Sequence, residues 1–158
     1  MHGIETSTVG ITVAQSAFGF SILNMLHIAA ISVVVGMIAM LDLRLIGVAL
    51  RDYPVTVLSR QVLPWTWGAF AIAVMTGMLM FTGQATKYSM NFAFRIKLCV
   101  VVFAALNMLA FHFLTYRHVA KWDRDVAVPL AGKLAGAISL MCWIAVVIYG
   151  RFIAYYMF

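Results

Sequence analysis

Two histidines stand inside long apolar runs, His27 with Asn24 three residues before it and His112 with Asn107 five residues before it. A polar or ionisable side chain surrounded by hydrocarbon must find a partner, so each is a candidate for chemistry. Two neutral imidazoles facing one another across a helical bundle supply the axial ligands of a non-covalent haem b, and His27 and His112 are the expected ligands of its iron. Asn24 and Asn107 would orient the two rings through their second nitrogens. Arg44 and Arg117, with His118, would stand at one membrane face as partners for the propionates. Gly36, Gly68 and Gly77 would give relief where a macrocycle presses on backbone. No Cys-x-x-Cys-His occurs, which excludes attachment through cysteines.

The same residues have other uses. A histidine in a span can simply hydrogen-bond between helices, at about 0.6 kcal/mol on average. Copper is a further expectation: Met25, Met75, Met78 and Met80 carry soft thioethers suited to Cu(I), although methionine also fills gaps in apolar packing. Asp42 and Arg44 stand two apart, which on a helix turns them about 200° from one another. Each must therefore seek a different partner, Asp42 toward Arg124 or Lys121, with proton transfer or quinone contact as the alternative. Gly132 and Gly136 have the spacing that allows two helices to approach closely. Walker, HExxH and GxSxG motifs are absent, as are paired carboxylates inside the runs, so nothing marks a hydrolase or an NTPase.

The elements that carry these residues follow from composition. The chain has 158 residues, 65% apolar and 10% charged, with a mean hydropathy of +1.00. A soluble domain carries about a quarter charged residues, so these few charges exclude a water-soluble enzyme. The fold class is all-α: a membrane four-helix bundle in one four-span domain. Runs of the length a bilayer requires lie at Val13–Leu41, Val62–Phe81, Ile96–Tyr116 and Leu134–Ile153. None alternates with period two, which excludes a transmembrane barrel. Pro64 falls near the start of the second run.

Orientation follows from the short connections. Arg44, Arg51, Arg60, Arg117, Lys121, Arg124 and Lys133 share one side, against Lys87, Arg95, Lys97 and Arg151 on the other. The richer side is expected in the cytoplasm, with both termini outside. Lys97 and Arg151 would snorkel from the outer ends of their spans. The net charge of +6 is explained by topology and anionic lipid, so no nucleic acid is implied. Cys99 and Cys142 fall at different depths, which argues against a disulfide. The two histidines lie at comparable depth if the first span starts at Val13, and about 10 Å apart if it starts nearer Phe18.

Leu26-His27, Gly36 and Leu41-Asp42-Leu43-Arg44-Leu45-Ile46-Gly47 resemble a family of small bacterial four-span inner-membrane proteins of unknown function. Tyr88-Ser89-Met90-Asn91, Asn107 ahead of His112, and Trp143 followed by Gly150-Arg151 are similar to it as well. The resemblance implies a multi-pass protein of the bacterial cytoplasmic membrane. The layout is also similar to that of di-histidine membrane cytochromes b. The expected function is one-electron transfer by haem b, with quinone as a partner. The alternatives are soft-metal binding or transport, or a structural subunit. A homo-oligomer is the default for a four-span chain with so little mass outside the bilayer.

Overall fold

The computed structural model describes residues 17–123 and 128–156. Helix α1 (Ala17–Ile46) leads to α2 (Val55–Gly83), a short α3 (Ala85–Met90), α4 (Phe92–Ala110) and α5 (Leu130–Tyr156). Helix α4 runs on through a π-helical turn at Phe111–Thr115 and a 3-10 turn at Tyr116–Lys121. No strand occurs among the described residues. Four segments are long and apolar enough to cross a membrane: Phe18–Ile46, Val55–Gly83, Phe92–Lys121 and Leu130–Ile153. Their apolar residues run all round each helix, because lipid covers whatever the neighbouring helices leave bare. A helix is also the one open-ended element that satisfies its own backbone in hydrocarbon.

Local signals set the helix ends. Gly47, at φ +85°, closes α1: its N–H reaches the Arg44 carbonyl at 3.2 Å and the Val48 N–H reaches that of Leu43 at 3.0 Å. That paired pattern is a glycine-terminated helix end, and only glycine takes the left-handed backbone without strain. Asn91 caps α4 by accepting the Phe94 N–H at 3.2 Å.

Helix α2 begins at Val55 rather than Val62, so Pro64 lies inside it. The placement of Pro64 near the helix start is thereby corrected. The extra turns carry Ser59, Arg60 and Gln61, whose polarity truncates an apolar run without breaking a helix. Pro54 precedes α2 and has no capping side chain. Its place is taken from across the fold: Asp123 accepts the Thr56 N–H at 2.8 Å and the Thr56 hydroxyl at 2.6 Å. A carboxylate at a helix N-terminus also favours the local dipole.

In space, α1 packs on α2 and on α5, and α5 packs on α4. Between α2 and α4 the bundle is open. Val34, Ala69, Trp143 and Val146 form the central core. Leu45, Val55, Trp122 and Val128 close the end carrying the α1–α2 connection, expected in the cytoplasm and called the inner end. Tyr88, Ala93 and Ile153 close the outer end. Gly136 brings α5 against α1, since a Cβ there would stand 3.0 Å from the Asp42 carbonyl oxygen and 3.1 Å from the Leu45 Cβ. The glycine spacing read in the sequence thus serves a contact within the bundle.

Candidate functional site

The open side leads to a cavity of about 140 Å³ lined by all four spans. Val34, Ile38 and Asp42 contribute from α1, Thr66 and Phe70 from α2, Ala104, Asn107 and Met108 from α4, and Ser139 and Trp143 from α5. Trp67, Phe70 and Trp143 form an edge-to-face aromatic chain along it, with centroids 6.2 and 6.5 Å apart. An apolar cavity of roughly 150 Å³ accommodates one benzene-sized ring. Toward the inner end the opening continues into a surface groove of about 430 Å³ lined by Thr56, Ser59, Arg60, Trp67 and Tyr116. There the Ser59 and Tyr116 hydroxyls, 3.0 Å apart, bridge α2 to the end of the α4 segment.

Asp42 is the charged residue that lines the cavity. It is 4% exposed and accepts a hydrogen bond from Ser139, while among the described residues its Oδ2 has no partner. Of the two expected partners, Lys121 is exposed and forms no ion pair with it among the described residues, while Arg124 lies outside them. A buried carboxylate oxygen left unpaired costs stability unless something else occupies it. Arg44 is 0% exposed; its Nε–H donates to the Tyr53 carbonyl at 2.7 Å, and among the described residues Nη1 and Nη2 have no partner. Arg44 and Asp42 thus point apart, as their spacing requires, and Arg44 is buried rather than held at the membrane face for a propionate. Arg117 and His118 are exposed.

The two histidines are not brought together. His27 Nδ1 lies 2.9 Å from the Ala73 carbonyl oxygen and 3.0 Å from Thr76 Oγ1. Since a carbonyl only accepts, Nδ1 carries the proton and Nε2 the lone pair. The Thr76 hydroxyl donates to Ile72 O at 2.7 Å, leaving its oxygen to accept from His27. Nε2 in turn lies 3.5 Å from Lys97 Nζ. His112 sits in the π-helical turn, exposed, and stacks on Tyr116 at 5.4 Å and 17°.

Lys97, level with His27, precedes His112 by fifteen positions, a rise of about 22 Å along a helix. One iron cannot join the two imidazoles within this chain. Of the orienting residues expected, Asn24 is exposed and Thr76 takes its place, while Asn107 Nδ2 donates to the Ala135 carbonyl at 2.9 Å and ties α4 to α5. Gly77 does serve a histidine: a Cβ there would meet His27 Cε1 at 3.2 Å. Gly36 and Gly68 have nothing within 4 Å.

Met25, Met75 and Met78 are exposed. Among the described residues no three His, Cys, Asp or Glu side chains converge as a metal site. Both cysteines are free. Thr76, Ser139 and Lys97 were not singled out as site residues in the sequence, since a hydroxyl in an apolar run or a lysine at a span end is unremarkable until its partner across the bundle is seen.

A family model described as "Family of unknown function (DUF6644)" matches residues 3–156. No curated protein and no solved structure matches the chain.

Proposed function

The chain belongs to the family of unknown function DUF6644, and from that premise we propose that it is a multi-pass membrane protein of the bacterial inner membrane that binds a lipid-soluble quinol or quinone between α2 and α4. The observation that carries this reading is the cavity of about 140 Å³ with Asp42 Oδ2, unpartnered among the described residues, on its wall. The volume suits one ring, not a macrocycle. Phe70 and Trp143 offer aromatic faces and edges, against which another ring packs favourably. A ring hydroxyl would donate to Asp42 Oδ2, while Ser139 holds the other side of the carboxylate. The same carboxylate can accept that proton if the ligand gives it up. The isoprenoid tail would leave through the gap between α2 and α4 into lipid, so the ligand never crosses water.

Purified protein in lipid nanodiscs, titrated with a short-chain ubiquinol under reducing conditions, tests this through tryptophan fluorescence. Saturable quenching that loses amplitude in Trp143→Phe, with Trp67 supplying the remainder, and weakens in Asp42→Leu supports the reading. A hydrogen bond to a charged group is worth about 1.5–3 kcal/mol, so Asp42→Leu should weaken binding by about ten- to a hundredfold. Linear, non-saturating quenching equal in all three proteins would overturn it.

A further inference from the structure

A second polar cluster lies at the outer end of the bundle, apart from the cavity. Lys97 of α4 extends its ammonium to His27 of α1, which Ala73 and Thr76 of α2 hold in place. Gly150 of α5 lies beside it, where a Cβ would stand 3.7 Å from Nζ. Elements from all four spans therefore converge on one amine.

Among the described residues the charges there do not balance. The sequence contains five acidic residues, Glu5, Asp42, Asp52, Asp123 and Asp125. The three that are described belong to the inner end, so no described carboxylate neutralises Lys97. His27 does not neutralise it either, because its Nδ1 is committed as a donor and its Nε2 can only accept from the ammonium. One Lys97 N–H faces that lone pair at 3.5 Å, and among the described residues the other two have no hydrogen-bond partner. A half-buried ammonium without a counter-charge is unfavourable, and binding an anion relieves it.

We infer that Lys97, positioned by His27, binds a monoanionic carboxylate at the outer end of the bundle. A carboxylate supplies one negative charge and two coplanar oxygens, matching one positive charge and two available N–H groups. A dianion would leave a net negative charge in the same half-buried place. Gly77 lets α2 pack directly on the His27 ring, and Gly150 leaves α5 without a side chain beside the amine. His27 is a positioning residue, aligning the amine without touching the ligand. The carboxylate has two sources, a small water-borne acid or a fatty acid arriving through lipid, and their shared headgroup chemistry is what the site recognises.

Protein in nanodiscs, labelled with ¹⁵N-lysine and titrated with acetate or with oleate, distinguishes them. A saturable shift of the Lys97 Nζ resonance with either acid supports the site. Acetate alone marks a water-borne ligand; oleate at far lower concentration marks delivery from the bilayer. Binding of the ¹³C-carboxylate should fall at least tenfold in Lys97→Met, be recovered largely in Lys97→Arg, and stay unchanged in Arg95→Gln, an exposed neighbour. His27→Gln should weaken binding severalfold. If the Lys97 resonance in the wild-type protein moves with neither acid at saturation, the inference fails, whether or not the variants fold. Equal carboxylate binding by folded Lys97→Met would overturn it as well.

Discussion

Replacing Gly136 with alanine sets two known effects against each other. Alanine in a helix interior is favoured over glycine by about 1 kcal/mol. The new Cβ would sit 3.0 Å from the Asp42 carbonyl oxygen and 3.1 Å from Leu45 Cβ, and neither atom is the end of a flexible side chain. Ordinary van der Waals contact starts at 3.4 Å, so α1 and α5 must separate by about 0.4 Å against a packed core. Overpacking of this kind costs about 1–3 kcal/mol, enough to cancel or exceed the propensity gain. Gly68→Ala is the matched control, a helix-interior glycine with nothing within 4 Å, where the propensity gain stands alone. For a chain of this size 1 kcal/mol corresponds to roughly 2–4 °C in Tm. In detergent unfolding followed by circular dichroism, Gly68→Ala should gain that much and Gly136→Ala should gain nothing or lose several degrees. Equal stabilisation by the two substitutions would refute the close α1–α5 crossing, and with it the placement of Asp42 beside Ser139.

Asp42→Leu should unfold at higher temperature than the wild type in ligand-free detergent, because a buried carboxylate with an unpaired oxygen is replaced by apolar volume, while quinol binding falls; a binding loss accompanied by destabilisation would contradict this assignment. Asp123→Ala removes both acceptors for Thr56 and should cost about 1.5–3 kcal/mol, read by chemical unfolding against Asp52→Ala, which should be near neutral. Tyr116→Phe breaks the bridge to Ser59 and should speed quinol association in stopped-flow quenching, at a stability cost near 0.6 kcal/mol. Unchanged association in Tyr116→Phe would show that the route lies elsewhere.

The spans were legible because lipid imposes a length and a composition that no soluble helix needs, and the four apolar runs recur as the four spanning segments. Their ends were less so. Polar Ser59, Arg60 and Gln61 hid two turns of α2, and the cap from Asp123 comes from 67 residues away. Asp42, Arg44 and His27 were identifiable by type, since a polar residue in hydrocarbon announces itself. Their partners were not, because Ser139, Thr76, Ala73 and Lys97 reach them only through tertiary packing. The pairing of His27 with His112 failed for a specific reason: the structure puts His27 level with Lys97, five positions into α4, and the π-helical turn leaves His112 exposed on Tyr116. No periodicity in the sequence marks such a turn. The unequal contact of the four helices, which opens the cleft between α2 and α4, is likewise a property of the assembled bundle.

Photo-crosslinking with an azido-quinone in native-like membranes, followed by peptide mapping, tests the cleft most directly. The account predicts label on Trp67, Phe70, Met108 and Trp143, suppressed by excess unlabelled quinol and by the cavity-filling Ala104→Phe. Label spread over lipid-facing residues such as Met75 and Met78, insensitive to competitor and to Ala104→Phe, would contradict it.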